Sequence, residues 1–311
     1  MTIRHIGRKL GFGILLISGM LLAGCAGPAS HVLNANHRVI LAVGAENQYA
    51  NVIAQIGGTY VSVSSLISNP STDPHSYEAT TSDAIKVGQA ELVVQNGLGY
   101  DQFVNKLESA TSNSQRMVID VGQSLHMPMN TLNPHLWYDY KIMPKVALLV
   151  ERALSKLNPS HASYFLQNLH SFDHSLQTWT KTMQKIKLKF PHAPVMVTEP
   201  VADYMLETAG LSIVTPWPFQ AAVMNGVDPS PQSVQQLEQF IVSRRIKVFV
   251  YNLQAVDTVT QTLLQLAITH HVPVVGVYET MPTAMNYQQW MTAEANAVYQ
   301  ALANGKSTQK L

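Results

Sequence analysis

Cysteine, charge and long apolar runs are all scarce in this chain of 311 residues. There is one cysteine, Cys25, which excludes internal disulfides and clusters of thiolate ligands for a soft metal. Only 13% of the residues are charged, and the basic residues form no patch of the kind that binds nucleic acid. Beyond the N-terminal region, no apolar stretch is long enough to span a membrane. The motifs of several enzyme classes are also missing, among them the helical His-Glu-x-x-His pattern, the Gly-x-Ser-x-Gly elbow and the Gly-rich phosphate loop.

The first 24 residues have the features of an export signal. Three basic residues precede the apolar stretch Leu10–Leu22, which is short for a membrane span. It ends in Leu22-Ala23-Gly24-Cys25, which resembles the lipobox of bacterial lipoproteins. We therefore expect residues 1–24 to be removed, Cys25 to carry a lipid anchor and residues 25–38 to form a tether outside the cytoplasm. The alternative is an ordinary secretory signal with a chance cysteine. Removal of the signal changes the formal charge from +1 to −2.

Short apolar runs alternate with amphipathic segments in the remaining part, an order typical of an α/β fold with mainly parallel sheets. Strands are predicted at Val39–Val43, Tyr60–Leu66, Leu92–Gln95, Met117–Val121, Val195–Thr198, Leu211–Val214, Val248–Tyr251 and Val272–Val277. Helices are predicted at Gln48–Ile56, Ser82–Gln89, Asp101–Leu107, Met143–Leu157, Val201–Ala209, Pro231–Val242, Ala255–Thr269 and Asn286–Leu302. The pattern predicts two βα lobes, residues 39–158 and residues 191–311.

Between the two lobes, residues 159–190 are predicted to form one long linker helix. Its apolar residues are spaced alternately four and three positions apart and form one stripe: Phe165, Leu169, Phe172, Leu176, Trp179, Met183, Ile186 and Phe190. At 1.5 Å per residue this helix would be on the order of 45 Å long. The stripe also suits a coiled-coil dimer. Its position between two lobes favours a rigid spine that packs on both lobes of a monomer.

Two histidines and two glutamates follow predicted strands and suggest a metal site. His75 and His135 each follow a proline and stand two positions before an aromatic residue, which is consistent with a ring held in a tight turn. Glu199 and Glu279 follow the apolar runs of two strands in the second half. Imidazole together with carboxylate is a common ligand set for divalent transition metals.

Eight short motifs resemble, in order, those of the solute-binding lipoproteins of bacterial zinc and manganese ABC importers. They are Ala45–Tyr49, Asp73–Glu78, Asn96–Asp101, Pro134–Trp137, Thr198–Pro200, Asp228–Pro231, Tyr251–Asn252 and Glu279–Pro282. The resemblance implies two lobes bridged by a long helix, with one metal ion in the cleft between them. His75 and His135 would bind it from the first lobe, and Glu199 and Glu279 from the second. It further implies a binding protein that is not an enzyme and that hands its ion to a permease and its ATPase.

The chain departs from this family at places that bear on the metal. Many zinc-importing members have histidine where this chain has Glu199, and they often carry a His-rich loop where residues 121–133 are short. The family often has aspartate in place of Glu279. These differences favour Mn²⁺ slightly, although the ligand set also suits Fe²⁺ and binds Zn²⁺ at least as tightly. Mn²⁺ or Zn²⁺ is therefore expected, at one ion per chain.

Two other functions are compatible with the same residues. An exported metallohydrolase could use part of the ligand set and keep one position for water. A protein of similar fold could bind a metal that is already chelated, as in a siderophore or cobalamin. Five further polar residues near the cleft are candidates to orient a histidine: Glu46, Glu78, Asp139, Asn252 and Gln254. For Glu78 and Asp139, turn closure or helix capping is the favoured interpretation.

Overall fold

Two parallel four-stranded sheets form the framework of the protein. The computed structural model describes residues 38–72 and 74–311, so the predicted signal segment, Cys25, most of the tether and Asp73 lie outside the described residues. The first sheet contains β1 (Ile40–Glu46), β2 (Val61–Ile67), β3 (Leu92–Gln95) and β4 (Met117–Asp120), in the order β2-β1-β3-β4. The second contains β5 (Pro194–Val197), β6 (Ser212–Ile213), β7 (Val248–Asn252) and β8 (Val274–Val277), in the order β6-β5-β7-β8. All neighbouring strands are parallel, as predicted.

Helices connect and cover the strands of both sheets. In the first lobe they are α1 (Asn47–Gly57), α2 (Thr81–Gln89), α3 (Gln102–Ala110), α4 (Val121–Ser124) and α5 (Ile142–Leu157). The linker contains α6 (Ala162–Ser175) and α7 (Gln177–Lys189). The second lobe contains α8 (Asp203–Thr208), α9 (Trp217–Met224), α10 (Pro231–Val242), α11 (Thr258–Thr269) and α12 (Tyr287–Asn304). This α/β architecture confirms the predicted fold class.

Several helices begin where the sequence offers a side chain to the free backbone N–H groups of the first turn. Thr80 before α2, Asp257 before α11 and Asn286 before α12 each form a reciprocal capping box with the third helical residue. Ser230 caps α10, which opens with proline at its first position. The positions of these caps explain why most helix starts were predicted to within a few residues.

The linker contains two helices where the sequence predicted one continuous helix. Residues 159–161 form a 3₁₀ turn, and Leu176 separates α6 from α7 with a ψ angle of −12°. The hydroxyl of Ser175 donates to the carbonyl of Phe172 at 2.6 Å, and such local bonding commonly bends a helix. The predicted apolar stripe is buried up to Ile186: α6 packs on α1 and α5, and α7 packs on α8 and α12. The stripe is therefore not available for a coiled-coil dimer.

The two lobes and the linker share one apolar core. A single cluster contains Trp137 of the first lobe, Trp179 of the linker and Trp290 of the second lobe, and all three are fully buried. Hydrogen bonds also join the lobes directly, for example between the side chains of Gln55 and Gln288. None of the helices within the described residues combines the length and apolarity needed to cross a membrane.

The strand order places the ends of the strands around one cleft. In each sheet the direction in which successive strands are added reverses between two central strands. These are β1 and β3 in the first sheet and β5 and β7 in the second. In open parallel sheets, loops diverge at such a point and leave a crevice at the carboxyl ends of the strands. Polar residues follow or end most strands at this crevice: Glu46, His75, Tyr100, His135, Glu199, Asn252 and Glu279.

Candidate metal centre

His75 stands in a short 3₁₀ turn, Pro74–Ser76, on the segment between β2 and α2. The turn is anchored by Tyr77, whose hydroxyl donates to Asp83 Oδ2 at 2.7 Å. The ring of His75 packs edge-on against the ring of Tyr100, with 5.2 Å between centroids. A quarter (25%) of the His75 side chain is exposed, so this histidine lies on the solvent side of the site.

His135 is fully buried immediately before the 3₁₀ turn Leu136–Tyr138. Its Nδ1 lies 2.7 Å from Oδ1 of Asn133, an atom that can only accept, so Nδ1 carries the proton. Nε2 is therefore unprotonated, and its lone pair faces the cleft. This is the tautomer that a metal-binding histidine needs. The amide of Asn133 also donates to the carbonyl of Pro200 at 2.8 Å, which ties this turn to the second lobe.

Glu279 follows β8 and is fully buried at the centre of the site. Its Oε2 lies 3.4 Å from Nε2 of His75 and 3.3 Å from Nε2 of His135. The hydroxyl of Tyr100 donates to the same oxygen at 2.9 Å. The other oxygen, Oε1, accepts a hydrogen bond from the side-chain amide of Asn252. Four side chains from both lobes thus converge on one carboxylate.

The protonation states of this cluster suit a cation. Burial lowers the pKa of His135, against the opposing effect of the Glu279 carboxylate, so the imidazole is neutral near pH 7. Burial alone would raise the pKa of Glu279, but the His135 and His75 rings beside its carboxylate hold this pKa well below its usual range. A neutral imidazole and an ionised carboxylate are the forms that bind a metal ion.

Three of the four predicted ligand residues are brought within bonding range of one ion. One ligand atom each from His75, His135 and Glu279 lies within 4.8 Å of the other two, and this group could hold a metal. Glu199 is also buried, with 3% of its surface exposed, but it is not part of this group. Its Oε2 accepts from the amide of Asn252 at 3.2 Å, and that same amide contacts Glu279. Asn252 therefore holds the two carboxylates side by side.

Two residues that contact the cluster, Tyr100 and Asn133, were not singled out from the sequence. Both stand in the motifs quoted above or next to them, and Asn133 has the spacing of an Asx turn before Pro134-His135. Asp139 closes the turn before α5, because its Oδ1 accepts from the backbone N–H of Lys141 at 2.9 Å, in line with the favoured interpretation. Glu78 is exposed, on the segment between His75 and α2. Asn252 and Gln254 both contact Glu279, as their position near the cleft suggested.

Glu46 is a further buried carboxyl close to the site, at the end of β1. It is fully buried, and neither of its side-chain oxygens has a hydrogen-bond partner among the described residues. Burial, reinforced by the negative charge of Asp101, raises its pKa well above the usual range. Glu46 is therefore expected to be neutral at pH 7 and is not a member of the group that could hold the ion.

A cavity of about 450 Å³ leads from the surface to His75. Its first-lobe wall is formed by His75 and Ser76, and its second-lobe wall by residues 223–226 and 254–257. His135 and Glu279, which do not line it, lie deeper. The cavity is thus the mouth of the cleft, with His75 at its inner end.

Comparison with known proteins gives consistent matches. The profile of the family described as ZnuA, zinc-uptake complex component A periplasmic, matches residues 43–301. The zinc-binding protein TroA of Treponema pallidum is 26% identical over 189 residues, 57% of this chain and 58% of TroA, so the match spans little more than half of TroA. The manganese-binding lipoprotein MntA of Bacillus subtilis is 26% identical over 221 residues, 66% of this chain and 68% of MntA. The solved structure of TroA has a TM-score of 0.72 at 19% identity, covers 86% of this chain and 100% of TroA, and shows the likeness of fold.

Proposed function

The chain belongs to the ZnuA family of zinc-uptake component A proteins, and we propose that it captures a divalent transition-metal ion outside the cytoplasm and delivers it to an ABC permease. The permease and its ATPase are then its partners, and Cys25 is its lipid anchor. In this proposal the protein is a monomer with three parts: a first lobe at residues 39–158, a linker at residues 159–190 and a second lobe at residues 191–311.

The observation that carries this proposal is the convergence of His75, His135 and Glu279 at the base of the cleft. A carboxylate buried in this way is costly unless a cation or several donors compensate it. We assign these three residues as ligands, with Glu199 as the fourth. Glu199 is included because Asn252 holds its carboxylate beside that of Glu279.

Capture is favoured over catalysis by the burial of the ligands. His135 and Glu279 are fully buried and Glu199 nearly so. Four protein ligands complete a tetrahedral site, whereas a catalytic metal keeps one position open for water or substrate. The cleft therefore suits the capture of an ion better than the catalysis of a hydrolytic reaction.

The proposed ion is Mn²⁺ or Zn²⁺, with Fe²⁺ also compatible. Two imidazoles and two carboxylates without a thiolate fit all three ions, and relatives are named for both zinc and manganese. Carboxylates that bind through both oxygens would provide the higher coordination number that Mn²⁺ accepts. Growth of a deletion strain under chelation tests the choice, because the physiological metal is the one that restores growth at the lowest concentration.

Binding is tested with purified protein and a matched pair of histidine variants. Wild-type protein is expected to bind one Mn²⁺ or Zn²⁺ per chain, as measured by metal analysis and calorimetry. His135→Ala is expected to lose tight binding, because one buried ligand is removed. His170→Ala changes an exposed histidine on α6 and is expected to keep it. Full affinity in His135→Ala would show that the ligand assignment is wrong.

A further inference from the structure

Gln254 makes contacts with both lobes through a single side-chain amide. It lies two residues after β7, and its backbone N–H donates to Oδ1 of Asn252 at 2.9 Å. Its side-chain oxygen accepts from the backbone N–H groups of Glu279 and Thr280 in the second lobe. Its side-chain nitrogen donates to Oγ1 of Thr280 at 3.1 Å and to the carbonyl oxygen of Thr72 in the first lobe at 2.7 Å.

This pattern uses the full hydrogen-bonding capacity of the amide. A glutamine side chain has two donor hydrogens and two acceptor lone pairs, and all four have partners here. Three of the four bonds stay within the second lobe. The bond to Thr72 is the one that crosses the cleft.

The bond that crosses the cleft is made at the solvent side of the metal centre. Thr72 stands three residues before His75, on the segment that carries this histidine. Gln254 and His75 both line the cavity at the mouth of the cleft. His135 and Glu279 are fully buried, whereas His75 is partly exposed and lines this mouth, so the mouth connects solvent to the exposed side of the metal centre.

We propose that Gln254 is a positioning residue that fastens the His75 segment over the bound ion and so sets the rate of metal release. The inference rests on the proposed function. Opening of the mouth breaks the bond to Thr72 and leaves the three bonds within the second lobe intact. Loss of Gln254 therefore lowers the barrier to opening and accelerates release, while the association rate changes little.

The test measures metal release by stopped flow, with metal-loaded protein mixed with excess chelator. Gln254→Met keeps the length of the side chain and removes its hydrogen bonds. It is expected to release Mn²⁺ or Zn²⁺ about tenfold faster than wild-type protein, which corresponds to roughly 1.4 kcal/mol, the order of one net hydrogen bond. Gln55→Met is the matched control, because it removes the two hydrogen bonds between the side-chain amides of Gln55 on α1 and Gln288 on α12, which also join the lobes. It is expected to release metal at the wild-type rate within about twofold.

A second variant separates the bond to Thr72 from the support given to Glu279. Gln254→Glu keeps an oxygen for the N–H groups of Glu279 and Thr280 but has no N–H for Thr72. The negative charge it adds favours retention of the ion and is only weakly screened by salt at this partly buried position, so faster release than wild type in this variant would show that the bond to Thr72 limits the rate.

Two results would overturn the proposal. They are unchanged release in Gln254→Met and equally fast release in Gln55→Met. A wild-type protein that bound no metal would contradict the proposed function and this inference together. Metal-loaded variants with the wild-type rate would contradict this inference alone.

Discussion

Glu294 is expected to make the stability of the metal-free protein depend on pH. This carboxyl is fully buried on α12, and burial raises its pKa from the usual 4.5 to about 8. It accepts from Nε1 of Trp290 at 2.7 Å and from the backbone N–H of Tyr278 at 3.1 Å. Its Oε2 lies 2.6 Å from the hydroxyl oxygen of Tyr138, which is also 2.7 Å from the carbonyl oxygen of Tyr278.

The geometry around Tyr138 agrees with a protonated carboxyl. A phenol has one proton, and two acceptors lie within hydrogen-bonding distance of it. Both contacts are satisfied when Tyr138 donates to the Tyr278 carbonyl and the protonated Glu294 donates to Tyr138. The proton therefore links the first lobe to the segment that leads into Glu279.

The size of the pH effect on stability follows from the pKa of Glu294 in the folded state and its pKa in the unfolded state. The folded-state pKa is above the unfolded value, so the stabilising contribution is complete below about pH 4.5 and is lost as the pH rises through about 8. Between pH 6 and pH 8 the free energy of unfolding is expected to fall by roughly 2 kcal/mol through this group. Other buried carboxyls with raised pKa values, such as Asp203, add to the slope of the wild-type protein.

Glu294→Gln isolates the contribution of this one group. The glutamine keeps the shape of the protonated acid, with an N–H for Tyr138 and an oxygen for Trp290 and Tyr278, so we expect a stable fold. Urea unfolding of the metal-free wild type and variant is followed by tryptophan fluorescence from pH 6 to pH 8.5. It measures how the free energy of unfolding of each protein changes with pH. The variant is expected to lose roughly 2 kcal/mol less than wild type between pH 6 and pH 8. Equal slopes in the two proteins would refute the assignment of a neutral Glu294.

Three further predictions concern the site, the core and the motion of the lobes. Asn133→Ala removes the acceptor that fixes the His135 tautomer and is expected to weaken metal binding by about 10- to 100-fold in competition titrations. Asn158→Ala is its control, because Asn158 makes the same contact with His161 away from the cleft; equal losses in both variants would exclude a specific effect on His135. Trp179→Ala opens a cavity in the core shared by both lobes and is expected to cost about 3–5 kcal/mol in urea unfolding, whereas a loss below 1 kcal/mol would contradict a shared core. Metal binding is expected to leave the radius of gyration in X-ray scattering almost unchanged, since the linker packs on both lobes; a large decrease would show that the linker is not stiff.

Much of the fold was predictable because the local signals agree with the tertiary structure. Leu92–Gln95 and Pro231–Val242 were predicted to the residue, the former as a buried apolar run and the latter from its Ser-Pro start. The α9 helix was not predicted, since Trp217–Met224 is apolar nearly all round and has proline at and just before its start, so it shows no helical period. The interruption at Leu176 was also missed, because it leaves the apolar spacing of the stripe unchanged.

The candidate site was predictable in its parts but not in its connections. Positions after predicted strands pointed to Glu199 and Glu279 as well as to His75 and His135, and the Pro-His pairs strengthened the case for the two histidines. The resemblance to a known family then implied all four as one ligand set. The sequence alone did not reveal that Asn252 bridges the two carboxylates, since this contact joins residues from different strand ends. Long-range contacts of this kind depend on the strand order, which sequence periodicity does not give.

In the proposed site, one ion is held by ligands from both lobes. Anomalous diffraction from crystals of the metal-loaded protein tests it most directly, with data collected on both sides of the Mn or Zn absorption edge. A single strong peak is expected in bonding contact with Nε2 of His75, Nε2 of His135 and the carboxylates of Glu199 and Glu279. A peak bound by residues of one lobe only, or a peak outside this cleft, would contradict the account.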